Sequence, residues 1–380
     1  MAKFTHHQFS TAEEFKKECL RDSAIAPEFW GLAVEVIHEQ EINPLTHEIE
    51  ALPIHDALGW HYSRFVQNIE QPIIAGDFRQ ADGTTWQLKP SRARLGKRDK
   101  KTGKRKPIKY ETPKGNGSRA FLPAVPESIQ RRILDKAGLT QVETVPPAEW
   151  WDLVEDCPDL PIVPTEGGKT GLSGLSHGDA AIALTGVNGG YHRLNRDNPA
   201  DTAIALNKDL ERFMVKGRRV ILSFDQDADP DTRHRVDTAK LHFGQLLQDR
   251  GCEVLVATWD GTLGKGIDDL IANAGPEAFH QAIADARSLK QWDRDRLVHN
   301  QLQRHRRALG KFQKRNSGYF PLSVNDLVEA GDHLLKAIPK TGIVVIKSRT
   351  ATGKTNLARL LLQSVDKVVA PGSLDILLAL

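Results

Sequence analysis

The chain has 380 residues, 27% of them charged, and a formal net charge of only +3, a composition with room for two or three globular domains. No apolar run approaches the roughly 20 residues needed to span a bilayer, and the N-terminus Met1–His7 lacks the apolar stretch of a secretion signal. Cys19, Cys157 and Cys252 are scattered and form no C-x-x-C pair, which argues against a disulfide framework or a zinc site and fits a reducing cytoplasm.

Residues 11–40 read as helical, with Phe15, Cys19 and Leu20 as a buried stripe. From about residue 70 the pattern becomes extended: Pro72–Gly76 and Thr84–Lys89 flank the turn signal Ala81-Asp82-Gly83. A basic run follows, through Lys89, Arg92, Arg94, Lys97, Arg98 and on to Lys109. A charge run is ordinarily a solvated loop. Here Trp86 and Tyr110 flank it, and both rings are expected to stack on unpaired bases while the cations meet phosphates. The alternation in Thr84–Lys89 and again in Lys106–Tyr110 predicts a hairpin of these two arms with the basic loop at its tip.

Between residues 156 and 290 short apolar strands alternate with helices. Strands are predicted at 161–165, 181–185, 219–224 and 253–258, and helices at 205–215, 233–250, 267–273 and 276–289. Such alternation predicts an α/β domain, a parallel sheet with helices on both faces. From about 290 the chain turns polar and basic and reads as a helical linker. Gly342–Lys347 then predicts a strand leading into Ser348-x-x-x-x-Gly353-Lys354-Thr355, which departs from a phosphate-binding loop only at its first position. In that reading Gly353, Lys354 and Thr355 contact a nucleotide. Only twenty-five residues follow Thr355, too few for a P-loop domain, so the chain is expected to be a truncated form of a longer protein, with ATP bound only if that domain were complete.

Acidic residues mark two strand ends in the α/β region. Glu166 closes the run Pro161–Thr165 and precedes Gly167-Gly168-Lys169, and Asp225, Asp227 and Asp229 follow Val220–Phe224 as D-x-D-x-D. If the two strands lie side by side, the carboxylates converge on the sheet edge where α/β proteins bind ligands. Mutually repelling carboxylates there call for a divalent cation, and magnesium is the usual partner of phosphate chemistry. The same residues also fit a helix cap and an Asx-rich turn.

Glu166-Gly167-Gly168-Lys169, Leu184-Thr185-Gly186-Val187-Asn188, Ser223-Phe224-Asp225-Gln226-Asp227 and Gly264-Lys265-Gly266-Ile267-Asp268-Asp269-Leu270, in this order, resemble the Toprim domain of primases, topoisomerases and some nucleases. More narrowly they resemble the Toprim-like domain of cyanobacterial plasmid replication proteins, in which a helicase region follows. The resemblance implies Glu166 as general acid/base, Asp225 and Asp227 as ligands of magnesium or manganese, Asp229 as an auxiliary ligand or an acid behind the ligands, and Lys169 and Lys265 as phosphate contacts. Asp268 and Asp269 sit at a helix start, where stabilising the helix dipole is the plainer role. No zinc-binding module precedes the Toprim strands, which sets primer synthesis itself in question.

The expected architecture is thus α/β: an α+β basic domain (1–155), a central Toprim-like parallel sheet flanked by helices (156–290), a basic helical linker (291–340) and an incomplete P-loop segment (341–380). The expected function is that of a plasmid replication protein whose magnesium-dependent phosphoryl-transfer site acts on plasmid or single-stranded DNA, without a membrane. The alternative is a DNA-binding module whose acidic site is structural or only holds metal.

Overall fold

Why the chain abandons the helix predicted over 11–40 is visible in its first turns. The computed structural model describes residues 6–66, 72–98, 103–194, 203–300, 342–347 and 374–379. Thr11 caps a helix over Ala12–Lys17 by accepting a hydrogen bond from the Glu14 N–H at 3.1 Å. A π turn over Glu18–Asp22 ends it, and the chain then enters a strand over Val34–His38. The β-branched residues Val34, Val36 and Ile37 favour the pleated conformation over a helix. That strand pairs antiparallel with Ile74–Arg79, which pairs in turn with Thr85–Pro90. Phe15, Phe78, Trp86 and Phe121 fill the space against this sheet. Phe15 and Phe121 each meet Phe78 edge-on at 6.2 Å, and Trp86 stacks on Phe121 at 4.7 Å. All four rings are buried, each contributing roughly 2–3 kcal/mol of apolar burial.

A basic hairpin forms, but from other strands than predicted. Leu95–Arg98 pairs antiparallel with Arg105–Pro107, whereas Thr85–Pro90 pairs with Ile74–Arg79 and meets the chain at the end of the second predicted arm through the bridge Leu88–Glu111.

Among the described residues the central sheet carries five strands. We number them β1 (Ile162–Glu166), β2 (Ala180–Leu184), β3 (Arg219–Leu222), β4 (Glu253–Val256) and β5 (Arg287–Ser288). Their spatial order is 2-1-3-4-5. β1 to β4 are mutually parallel, and the short β5 is antiparallel to β4. The four predicted strands are thus present within two residues of the expected bounds.

Three helices matter for the site: α1 (Gly168–Ser176), α2 (Pro230–Asp249) and α3 (Ile267–Ala274). The sequence reading has no counterpart for α1. Its segment Gly168-Lys169-Thr170-Gly171-Leu172-Ser173-Gly174 is glycine-rich, and glycine is poor in helix interiors. Packing supplies the reason for the glycines. A Cβ on Gly171 would lie 2.7 Å from the Ala183 Cβ, and one on Gly174 would lie 2.8 Å from the Ala181 Cβ. The helix therefore lies directly on β2, closer than a larger side chain permits. The helix predicted over 205–215 is instead a strand, Ile204–Leu206, and one turn of helix, Lys208–Glu211. Asn207 separates the two and caps the turn by accepting from the Asp209 N–H. The helix predicted to 289 ends at Ala284, after which β5 begins.

Contacts divide the chain into two units, Met1–Leu289 and Lys290–Leu380. In the second unit residues 291–300 are helical, and the strand predicted at Gly342–Lys347 pairs in parallel with Leu374–Ala379. Gly353, Lys354 and Thr355 lie outside the described residues. Among the described residues no helix is long and apolar enough to cross a membrane.

Candidate functional site at the strand-order switch

In the order 2-1-3-4 the chain leaves β1 toward one side to make β2 and returns on the other side to make β3. The carboxyl ends of β1 and β3 therefore flank the switch point, where connecting segments diverge and leave a crevice. Glu166 is the last residue of β1. Past β3 the chain continues through buried Ser223 and Phe224 to Asp225 and Asp227. Two bonds lock the strand ends together: Ser223 N–H donates to the Pro164 carbonyl at 3.0 Å, and Thr165 Oγ1 donates to the Ser223 carbonyl at 2.9 Å. The carboxylates are thus held at one edge, as the sequence predicts.

Lys265 arrives from the loop before α3. The Gln226 N–H donates to the Lys265 carbonyl at 2.9 Å and fixes one loop against the other. Lys265 Nζ then lies 3.0 Å from Asp225 Oδ2 and 3.4 Å from Asp227 Oδ1. Burial, with the neighbouring Asp225 charge, raises the Glu166 carboxyl to about 7. Burial also raises Asp225, although Lys265 opposes it. Glu166 can therefore hold or release a proton near neutral pH.

Behind this edge lies a polar layer drawn from distant parts of the chain. Gly167, at φ +87, turns the backbone sharply from β1 into α1. This brings Lys169 and Thr170 into the first turn of α1. Thr170 Oγ1 donates to Asp268 Oδ1 at 3.0 Å, and Asp268 is buried in the first turn of α3. A Cβ on Gly266 would lie 2.6 Å from Asp268 Oδ1 and 3.3 Å from Asp225 Oδ1, so both carboxylates border the same small space. Lys169 donates to Glu18 at 2.6 Å, and Lys89 pairs with the same carboxylate. Burial pulls the Lys169 ammonium down, but Tyr110, Glu18 and Asp268 outweigh it and hold it well above its ordinary value. Glu18 is the piece that sequence reasoning missed. It follows a capped helix and reads as a surface acid, and only tertiary contact places it between two lysines.

Not every predicted residue joins the edge. Asp229 caps α2, its Oδ1 accepting from the Thr232 N–H at 2.8 Å, and that bond holds its carboxyl below the usual range. Its cap role comes directly from Asp229-Pro230 at the start of a helix. Trp86 cannot stack on a base in this structure, because it is fully buried against Phe121 and its indole N–H donates to the Arg119 carbonyl at 2.8 Å. Tyr110 is half-buried beside Phe78, 6.1 Å between ring centres. Lys89 is buried on Glu18, and Arg94 is held in a two-pronged pair with Glu111 at 2.6 and 2.9 Å. Arg92 is half-buried. Lys97 and Arg98 are exposed on the hairpin, with Arg105 and Lys106 exposed on its second strand.

Among the described residues no three His, Cys, Asp or Glu side chains gather into a ready metal cage. Magnesium does not require one, because it keeps several waters and is commonly held by one or two carboxylates together with substrate phosphate. The donors here fit such an ion. Asp225 and Asp227 already share one cation, the Lys265 ammonium, and Glu166 borders them.

Residues 150–278 match the model of a family described as a domain of unknown function, DUF3854. An uncharacterized protein of Picosynechococcus sp. (strain ATCC 27264 / PCC 7002 / PR-6) is 31% identical over 283 residues, 73% of this chain and 26% of that protein. The chain thus spans about a quarter of the length of this curated relative. Among solved structures, the zinc-binding and RNA polymerase domains of Aquifex aeolicus primase match at 14% identity and a TM-score of 0.36, over 86% of this chain and 68% of that one. The RNA polymerase domain of Mycobacterium tuberculosis primase DnaG matches at 17% identity and a TM-score of 0.33, over 64% of this chain and 65% of that one.

Proposed function

We propose that this chain carries a Toprim-type, divalent-cation-dependent phosphoryl-transfer site that acts on nucleic acid, as part of a plasmid replication protein. The observation that carries this reading is the meeting of Glu166, Asp225, Asp227 and Lys265 at the β1/β3 switch point, with the Glu166 carboxyl raised to about 7.

Glu166 takes a proton from an attacking hydroxyl or returns one to a leaving oxygen, and its raised pKa suits both directions near neutral pH. Asp225 and Asp227 would hold magnesium or manganese, which when bound supplies positive charge to the phosphoryl oxygens. Lys265, half-exposed and paired only at its tip, can turn from the aspartates to a phosphate. Lys169 plays a different part from the phosphate contact expected of it. Its ion pair with Glu18 anchors the first turn of α1 and so fixes the backbone after Glu166. The exposed cations of the hairpin supply sequence-independent attraction to a nucleic-acid backbone.

A second reading has one observation of its own. Lys265 already neutralises the two aspartates, so the edge could be a self-contained structural ion-pair cluster in a DNA-binding module. The two readings part on one assay. The full chain is incubated with magnesium or manganese, single-stranded or supercoiled DNA and ribonucleotides, beside Glu166→Gln and Asp225→Asn. The phosphoryl-transfer reading expects cation-dependent cutting, joining or primer formation that falls at least about 100-fold in each variant. Activity absent from the wild type, or unchanged in both variants, refutes it and leaves the structural reading.

A further inference from the structure

A cavity of about 880 Å³ opens beside the acidic edge, with Glu166, Asp227 and Lys265 on one wall. Its other walls come from outside the sheet. One is the antiparallel pair Tyr191–Arg193 and Ile204–Leu206, inserted between β2 and β3. The other is the first half of α2, which presents His234, Arg235, Thr238 and His242. Those positions recur at helical spacing, so one face of α2 lines the cavity along about two turns. Thr238 and Ala239 are small, and this leaves room in the middle of that face.

The chemistry of these walls is specific. Tyr191 is fixed as a platform: its hydroxyl donates to Asn188 Oδ1 at 2.8 Å and its ring meets the His242 ring edge-on at 5.8 Å. Arg193 and Arg235 are exposed and both line the cavity; Arg235 donates to Thr232 Oγ1 at 3.1 Å, and its charge helps lower the nearby Asp229 carboxyl. Two exposed guanidinium groups beside one fixed aromatic ring suit an anion joined to a flat heterocycle. The volume lies within the range of pockets that enclose a single small ligand.

We propose that this cavity seats one phosphorylated nucleotide, its base against Tyr191 and its phosphates on Arg193 and Arg235. The ligand is either a free nucleoside triphosphate or the phosphorylated end of a strand, which share this chemistry. That the seated phosphate faces the acidic edge rests on the phosphoryl-transfer reading above, whereas the binding itself does not.

The test is a titration of the full chain carrying Lys354→Ala, so that the separate phosphate-loop sequence does not contribute. One arm uses a nucleoside triphosphate and the other a 5′-phosphorylated trinucleotide, in each case with Tyr191→Ala, Arg235→Ala and Arg193→Ala added in turn. Binding in either arm that weakens about 10-fold or more with Tyr191→Ala and with at least one arginine variant supports the site, and the arm in which it occurs identifies the source. Arg219→Ala, an exposed arginine at the opposite end of β3, serves as the charge control and is expected to leave affinity unchanged. No binding in either arm, or binding unmoved by the pocket variants, overturns the proposal. Binding lost in the pocket variants while the wild type performs no phosphoryl transfer would uphold this site and refute the activity reading.

Discussion

At the residue scale, burial rather than charge count decides which acids matter. Asp77 and Glu166 both stand well above the ordinary carboxyl value, and burial is the first cause in each. Asp77 belongs to the N-terminal sheet and stands at about 6, with its Oδ1 lacking a hydrogen-bond partner among the described residues. A carboxyl raised on folding binds its proton more tightly in the folded chain. Its contribution is full below the unfolded value near 4 and is lost as pH rises through about 6. Asp77→Asn should therefore stabilise the protein by about 1–3 kcal/mol at pH 8 and by much less at pH 4. Thermal melts of both proteins at the two pH values check this, and an equal effect at both would contradict it. Glu166 obeys the same sign, but it borders the site where a cation would bind. Its titration is better read in the pH profile of turnover, whose limb near 7 should vanish with Glu166→Gln.

Elements are where the sequence was partly legible. β1 to β4 were readable because each is a short apolar run bounded by turn residues, and a buried parallel strand needs little else. α1 was not readable, because its glycines answer to the Ala181 and Ala183 side chains of β2 rather than to helix propensity. Gly171→Val should accordingly overpack that contact and cost about 1–3 kcal/mol, seen as a lowered midpoint in urea. The carboxylates of Glu166, Asp225 and Asp227 could be placed from strand ends alone. Asp229 could not be separated from them until the cap geometry of α2 showed its oxygen on the Thr232 N–H. Glu18 was invisible for the opposite reason, since its partners Lys89 and Lys169 are 71 and 151 residues away in sequence. Glu18→Gln leaves those two ammonium groups facing each other in a largely buried place. A loss of about 2–4 kcal/mol is expected. Restored stability on adding Lys89→Met to Glu18→Gln would confirm the source of that loss, and no coupling between the two changes would deny it.

Over the whole molecule the net charge of +3 conceals a separation of charge. The hairpin exposes Lys97, Arg98, Arg105 and Lys106, while the sheet edge gathers Glu166, Asp225 and Asp227. In the proposed function, attraction to a nucleic-acid backbone and chemistry upon it fall to different places in the first unit. Replacing the four hairpin cations by Gln should weaken binding to all DNA sequences alike. It should also reduce the slope of log affinity against log salt by up to about 3–4 on duplex DNA. A sequence-dependent loss with an unchanged slope would contradict that role. The central claim concerns the acidic edge, and manganese binding followed by electron paramagnetic resonance on the full chain at pH 8 tests it most directly. The account expects one ion to bind, to be lost in the double variant Asp225→Asn, Asp227→Asn, and to persist in Asp229→Asn, whose carboxylate caps α2. Manganese bound equally well by the double variant, or lost with Asp229→Asn alone, would contradict it.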